Sequence, residues 1–259
     1  MMVLEQKMIL ARGGLETPCI LREPDFGTPR RVVLGVHGIG GSMQDFILES
    51  IADEMELFGS AVVRFDLPAH GENEMDIMSL SDCLHTLDHV AEFSLERWPD
   101  VKELCIFATG FGAYLTLIAL QELRELPCKL KLVIQTPSLR MDRTLLSMAQ
   151  VSQVTLEAME WAVLKTPRPI GITYSFYEEL RDNNAFSTYP IPLLILHGQY
   201  DDYIPMSDIQ QLHNLNDRAK LVIIPGASHR FEEPGAWDMV LDLTRDWFDF
   251  EQVLLTETS

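Results

Sequence analysis

Leu104-Cys105-Ile106-Phe107-Ala108-Thr109-Gly110-Phe111-Gly112-Ala113 is the stretch around which the chain is organised. It reads as a buried strand, a very tight turn, and a helix packed close behind. Ala108 and Gly112 stand two residues either side of Gly110. Small residues at those places let strand and helix backbones pass nearly in contact, which is the spacing of a nucleophile elbow. Such an elbow presents Ser, Cys or Asp at its centre. Here the centre is Gly110, which has no side chain to attack with.

Upstream, residues 3–12 and 16–23 read as two short antiparallel strands joined at Gly13-Gly14, and 24–30 as loop. Residues 31–37 form a near-continuous β-branched run, suited to a strand covered on both faces. The run leads into Gly38-Ile39-Gly40-Gly41. A helix is expected from Ser42, with Ser42 and Asp45 in the places of a capping box. Phe46, Ile47, Ile51, Met55 and Phe58 would form its apolar face. Residues 61–65 read as a second buried strand and 66–73 as a turn-rich loop. The spacing of Leu80, Leu84, Leu87, Val90, Ala91 and Leu95 predicts a helix over 80–97.

Downstream, a helix over 111–124 and a strand over 130–136 continue the alternation, which implies a parallel sheet with helices on both faces. The pattern breaks at residues 137–190. A helix is expected over 152–165, apolar on more than one side, and a shorter one over 174–180. This segment reads as a helical cap inserted into a core made of residues 1–136 and 191–259. Alternation then resumes with a strand at 193–198, a helix at 207–215, a strand at 220–224 and a last helix over 234–250. Only the final few residues read as a loose tail.

Composition narrows the function classes. Apolar residues make up 47% of 259, enough for a sizeable core in one large α/β domain. The net charge of −19 disfavours nucleic-acid or anionic-membrane partners. No apolar run is long enough for a spanning helix, and residues 1–7 lack a signal-peptide core, so a cytoplasmic location is expected. Cys19, Cys83, Cys105 and Cys128 have no metal-ligand spacing and are expected as free thiols, three of them in apolar stretches. No metal and no cofactor are expected, and nothing in the sequence sets an oligomeric state, although a dimer is compatible with it.

Four further stretches lie at predicted strand ends. They are His37-Gly38-Ile39-Gly40-Gly41, Asp66-Leu67-Pro68-Ala69-His70-Gly71, His197-Gly198-Gln199-Tyr200-Asp201-Asp202-Tyr203-Ile204-Pro205, and Pro225-Gly226-Ala227-Ser228-His229. With the elbow, they make the chain resemble the α/β-hydrolase superfamily along nearly its full length. The order nucleophile, acid, histidine is the family's. The resemblance implies a mostly parallel eight-stranded sheet with helices on both faces and a small helical cap. It implies oxyanion donors at the backbone N–H groups of Ile39 and Phe111, an acid at Asp201 (Asp202 is the runner-up) and a general base at His229. Ala69 departs from the family pattern, which has Gly there. His37, His70 and His197 are expected to brace loops.

No other residue takes over the attack convincingly. Thr109 would need small neighbours at 107 and 111, and both are Phe. Cys105 lies inside the strand, and Ser138 has no elbow. The expectation is therefore an esterase- or thioesterase-like hydrolase for a small acyl ester, with position 110 vacant, so that this chain is inactive or very slow. The alternative is a non-catalytic protein that keeps the pocket to bind or sense a ligand. Two histories are compatible with Gly110: a natural loss of catalysis, or replacement of a Ser.

Overall fold

The computed structural model describes residues 5–24 and 27–249. The expected first residues of the opening strand, part of the 24–30 loop, Phe250 and the tail lie outside the described residues.

Apolar runs at 32–36, 61–65, 103–109, 129–135 and 193–198 form the centre of the sheet, and their alternating residues divide its core in two. The strands are β1 Gln6–Arg12, β2 Leu15–Arg22, β3 Val32–Val36, β4 Ala61–Phe65, β5 Glu103–Thr109, β6 Lys129–Gln135, β9 Leu193–Gly198 and β10 Ala219–Ile224. In β3, Val32, Leu34 and Val36 face one layer, while Val33 faces the other. In β5, Leu104, Ile106 and Ala108 share the first layer, and Cys105 and Phe107 the second. This period of two, buried on both sides, is why the strands read as unbroken apolar runs.

The eight-stranded sheet has the order β1-β2-β4-β3-β5-β6-β9-β10. The β1–β2 and β2–β4 pairs are antiparallel, and the other five are parallel. Helices α1 Phe46–Leu57 and α8 Ala236–Asp249 cover one face. Helices α2 Leu80–Arg97, α3 Gly110–Leu123 and α7 Met206–Asn214 cover the other. From β3 the chain first steps outward to β4, then returns to the opposite side of β3 as β5. The reversal opens a crevice between the carboxyl ends of β3 and β5, where ligands of open α/β sheets bind.

Two local expectations are corrected. The first helix does not start at Ser42. Asp45 does reach back to accept from the Ser42 N–H at 3.0 Å, but that bond closes a turn, and helical geometry begins at Phe46. Phe46 is therefore exposed rather than part of the buried face and meets the edge of Trp237 instead. Leu48 and Ala52 join Ile47, Ile51 and Met55 in the buried stripe, whereas Phe58, also expected there, is exposed just past the helix end.

The second correction concerns residues 152–165. Helix α5 covers only Gln153–Met159, starting on Ser152, whose Oγ accepts from the Thr155 N–H. It ends where Glu160 turns left-handed at φ 63°. Trp161–Leu164 is strand β7, paired antiparallel with β8 Ile170–Thr173. A strand buries Ala162 and Leu164 while turning Trp161 and Val163 outward. A continued helix could not have separated them that way. The segment between β6 and β9 thus contains α4 Met141–Ala149, α5, the β7–β8 ribbon and α6 Tyr174–Asp182.

Candidate functional site

The elbow forms at the end of β5. Thr109 is extended, and Gly110 opens α3 with φ +48°. A Cβ placed on Gly110 would meet nothing nearer than the Gly38 Cα, at 3.8 Å. The neighbours are far less permissive. A Cβ on Gly112 would come within 2.4 Å of the His37 carbonyl oxygen and 2.7 Å of that of Val36. Gly112 therefore carries the close approach of α3 to β3, whereas position 110 has room for a side chain. Ala108 is fully buried, as the elbow geometry requires. Phe111, in the first turn of α3, has an N–H with no intrahelical acceptor. The Ser138 N–H donates to the Gly110 carbonyl at 3.1 Å, tying the turn to the segment after β6.

Asp201 and His229 come together at the ends of β9 and β10. His229 Nδ1 lies 2.9 Å from Asp201 Oδ2, and the Asp201 side chain is wholly buried. A carboxylate can only accept here, so Nδ1 carries the proton and Nε2 keeps its lone pair. The other Asp201 oxygen accepts from the N–H groups of Tyr203 and Ile204, each at 2.9 Å. Burial alone pulls the Asp201 carboxyl upward; the His229 bond, with the Ile204 and Tyr203 donors, outweighs it and holds the group below its ordinary value. Asp202 makes no such bond to His229 among the described residues. Tyr203 places its ring 4.9 Å from that of His229.

The two loops are latched by backbone. Gln199 and Tyr200 N–H donate to the Ile224 and Ala227 carbonyls, at 3.1 and 2.8 Å. Gln199 Oε1 accepts from the Gly226 N–H at 2.8 Å. A Cβ on Gly198 would come within 2.5 Å of the Ser228 carbonyl oxygen, so only glycine allows this approach. His197 is buried below, with Nδ1 3.7 Å from Asp201 Oδ2, too far to share its proton. Burial lowers its pKa against the opposing pull of Asp201, which favours the neutral ring.

His37 and His70 brace the loop that carries Ile39. The Leu67 N–H donates to His37 Nε2 at 3.1 Å, which leaves the proton on Nδ1 to donate to the Gly38 carbonyl at 2.8 Å. His37 is buried, and burial pushes its pKa down to about 4. The His70 ring lies 4.9 Å away, and burial followed by the repulsion of His37 pushes its pKa down to about 3. Asp66 completes the brace, accepting from Met43 and Glu72 N–H groups at 2.7 Å each. Burial nonetheless raises its pKa above the ordinary value.

The β7–β8 ribbon rests on this same loop. A Cβ on Gly40 would strike Thr166 Cγ2, at 2.5 Å, so the ribbon's turn lies directly against the residue after Ile39. Arg168 donates to the carbonyls of Gly71, Asn73 and Met75. Gly171 exchanges backbone bonds with Asp76 and Met78. The sequence carries no sign of Thr166 or Arg168, because side chains that bond mainly to backbone leave little partner signature; the one side-chain partner of Arg168, Asp76, is an exposed carboxylate 3.7 Å away. Three non-glycine residues near the site also hold left-handed φ: Ala69 at 65°, Thr136 at 42° and Phe231 at 58°. Ala69 occupies the place where the family pattern has Gly, and its φ gives the reason for that preference.

Among the sequence candidates to replace the nucleophile, Cys105 is wholly buried and its thiol is pushed up to about 12 by burial. Ser138 donates its hydroxyl to Thr144 at 2.9 Å. Among the described residues no group of three or more His, Cys, Asp or Glu is placed to hold a metal ion. No helix among them is long and apolar enough to cross a membrane.

Comparison with known proteins accords with this fold. Est1E from Butyrivibrio proteoclasticus, solved with ferulic acid, superposes with a TM-score of 0.81 at 16% identity, over 93% of this chain and 97% of that one. Mouse alpha/beta hydrolase domain-containing protein 10 gives 0.73 at 17% identity, over 94% and 98%. Two Mycobacterium tuberculosis proteins that carry a provisional phosphoribosyl transferase name are 24% identical over 224 residues. That match covers 85% of this chain, which spans about two-fifths (41%) of the length of those relatives. The family described as serine aminopeptidase, S33 matches residues 27–173, which include the Ile39 loop and the elbow. With that match over more than half its length and the fold built as described, the chain belongs to this family of α/β-hydrolases.

Proposed function

We propose that the chain is built as a carboxylic ester or thioester hydrolase of the serine type, with its nucleophile position vacant. One observation carries the reading: a hydrogen-bonded Asp201–His229 pair stands at the sheet edge that also presents an elbow with positive φ and open space at residue 110. In this reading His229 Nε2 is the general base, Asp201 fixes its tautomer, and the N–H groups of Ile39 and Phe111 hold the developing oxyanion. The segment 137–190 acts as a cap over an acyl-ester pocket. Gly110 supplies no oxygen, so any hydrolysis by this chain uses water activated by His229, aided by the oxyanion donors. Such sites retain about 10³–10⁴-fold acceleration over water without a nucleophile.

The test is Gly110→Ser, assayed beside the unaltered chain on short p-nitrophenyl esters. A gain of several orders of magnitude in kcat/KM, abolished by His229→Ala, supports the reading. A folded Gly110→Ser protein with no gain overturns it. Gly110 itself favours a second reading, a ligand-binding protein that keeps the pocket without turnover, and that result would select it.

A further inference from the structure

Beside the Asp201–His229 pair lies a cleft of about 430 Å³, walled by α4 on one side and by Tyr203 and Ile204 on the other. Both walls connect to the site. Tyr203 packs on the His229 ring, and the Ile204 N–H bonds Asp201. Leu139, at the base, follows Ser138, whose N–H holds the Gly110 carbonyl.

The cleft is cationic in a chain of net charge −19. Three charged residues line it: Arg140, Arg143 and Asp208. Arg140 is committed, its Nε 3.1 Å from Asp208 Oδ1 and its guanidinium 4.8 Å from the Phe186 ring centroid. That leaves Arg143, which has no carboxylate within ion-pair distance among the described residues. It is an exposed residue in the first turn of α4, where the helix dipole is positive and Asp142 is its neighbour. A second cavity, of about 120 Å³, shares Arg140 and Arg143 with the first and is also lined by Asp142 and Arg181.

The geometry points to a substrate subsite: we infer that this cleft takes the carboxylate of a small ester carrying one negative charge, with Arg143 as its counter-ion. The inference rests on the hydrolase reading only for the word substrate; the anion site stands without it. With Arg140 and Asp208 cancelling, one positive charge remains. That matches a monoanionic carboxylate in charge, as a solvent-exposed ion pair of modest strength. Arg143 offers a planar pair of donors suited to a carboxylate. Tyr203 and Leu139 supply apolar walls for the carbon chain between that end and the ester.

The chain as it stands has no attacking oxygen, so binding can be measured with little turnover. Monomethyl glutarate and its neutral counterpart methyl pentanoate are titrated calorimetrically into the Gly110 chain and into Arg143→Gln and Arg143→Lys. The expected result is at least a tenfold preference for the monoanion, weakened by salt, lost in Arg143→Gln and partly kept in Arg143→Lys. Equal affinity for the two esters, no binding of either, or a preference that survives Arg143→Gln overturns the inference. Circular dichroism checks that the variants fold. The Gly110→Ser protein separates the two readings. Hydrolysis of neutral esters without any anion preference removes the subsite and keeps the hydrolase; Arg143-dependent binding without hydrolysis does the reverse.

Discussion

Gly112 lies so close to His37 that a Cβ on the glycine would sit 2.4 Å from the histidine's carbonyl oxygen. Two residues earlier, the nearest atom to a Cβ on Gly110 is 3.8 Å away. Two glycines of one turn therefore have opposite tolerances. Gly112→Ala must push α3 off β3, and we expect it to cost about 1–3 kcal/mol or more, as overpacking of a core does. Gly110→Ala meets no clash and carries only the cost of a Cβ at positive φ, about 1–2 kcal/mol. Urea unfolding of the two variants checks the order. Equal losses would contradict it.

Gly110→Ser faces the same backbone cost as Gly110→Ala. The chain already holds Ala69, Thr136 and Phe231 at positive φ, so such strain is compatible with this fold. A loss of about 1 kcal/mol corresponds to a fall in melting temperature of about 2–4 °C. Esterase activity should appear together with that small loss. In the Gly110→Ser background, Asp201→Asn should lower kcat by about 10³–10⁴ with little change in KM, because the tautomer fails and binding does not. Asp202→Asn should leave both within a few-fold.

Acid should weaken the protein before its carboxylates titrate in bulk. His37 and His70 have folded values pushed down to about 4 and about 3, while an unfolded histidine titrates near 6.5. Between those limits the unfolded state binds more protons, so stability is full above about pH 6.5 and falls as pH drops towards 4. Asp66, raised by burial, works in the opposite direction in the lower part of this window. Asp201, held low, adds its own loss only below the ordinary carboxylate range. Urea midpoints at pH 7, 5.5 and 4.5 should decline, and His37→Gln should flatten that decline. A slope unchanged by His37→Gln would show that the brace is not the proton acceptor.

Arg168 holds the ribbon by donating to the carbonyls of Gly71, Asn73 and Met75, with the Asp76 carboxylate 3.7 Å from its guanidinium. Arg168→Ala removes three such anchors, so the ribbon should open locally while the sheet persists. Hydrogen exchange at the Gly171 and Met78 N–H groups should rise by at least tenfold, with exchange in β5 unchanged. Uniform acceleration through the whole chain would mean that the ribbon is part of the global unfolding unit instead.

The central sheet strands and α2 are legible because apolar runs and a long amphipathic stripe each fit one period only. Trp161-Ala162-Val163-Leu164 fitted two periods, and the left-handed turn at Glu160 that chooses between them has no compositional mark. Helix α4 was missed because only Met141 and Leu145 of its residues are buried, too few to set a stripe. Ser42 and Asp45 supplied a genuine hydrogen bond that closes a turn one step before the helix. The Asp201–His229 pair could be placed from loop motifs alone. Thr166, Arg168 and Arg143 could not, since their surroundings are assembled from loops distant in sequence.

The latch between the Gly198 and Ser228 loops has an evolutionary consequence. It fixes Asp201 and His229 to each other without reference to position 110, so in the proposed hydrolase the attacking atom is an exchangeable part. A glycine codon ending in a pyrimidine lies one base change from serine, from cysteine and from aspartate. With such a codon at position 110, each of the three side chains that an elbow can present is a single mutational step away.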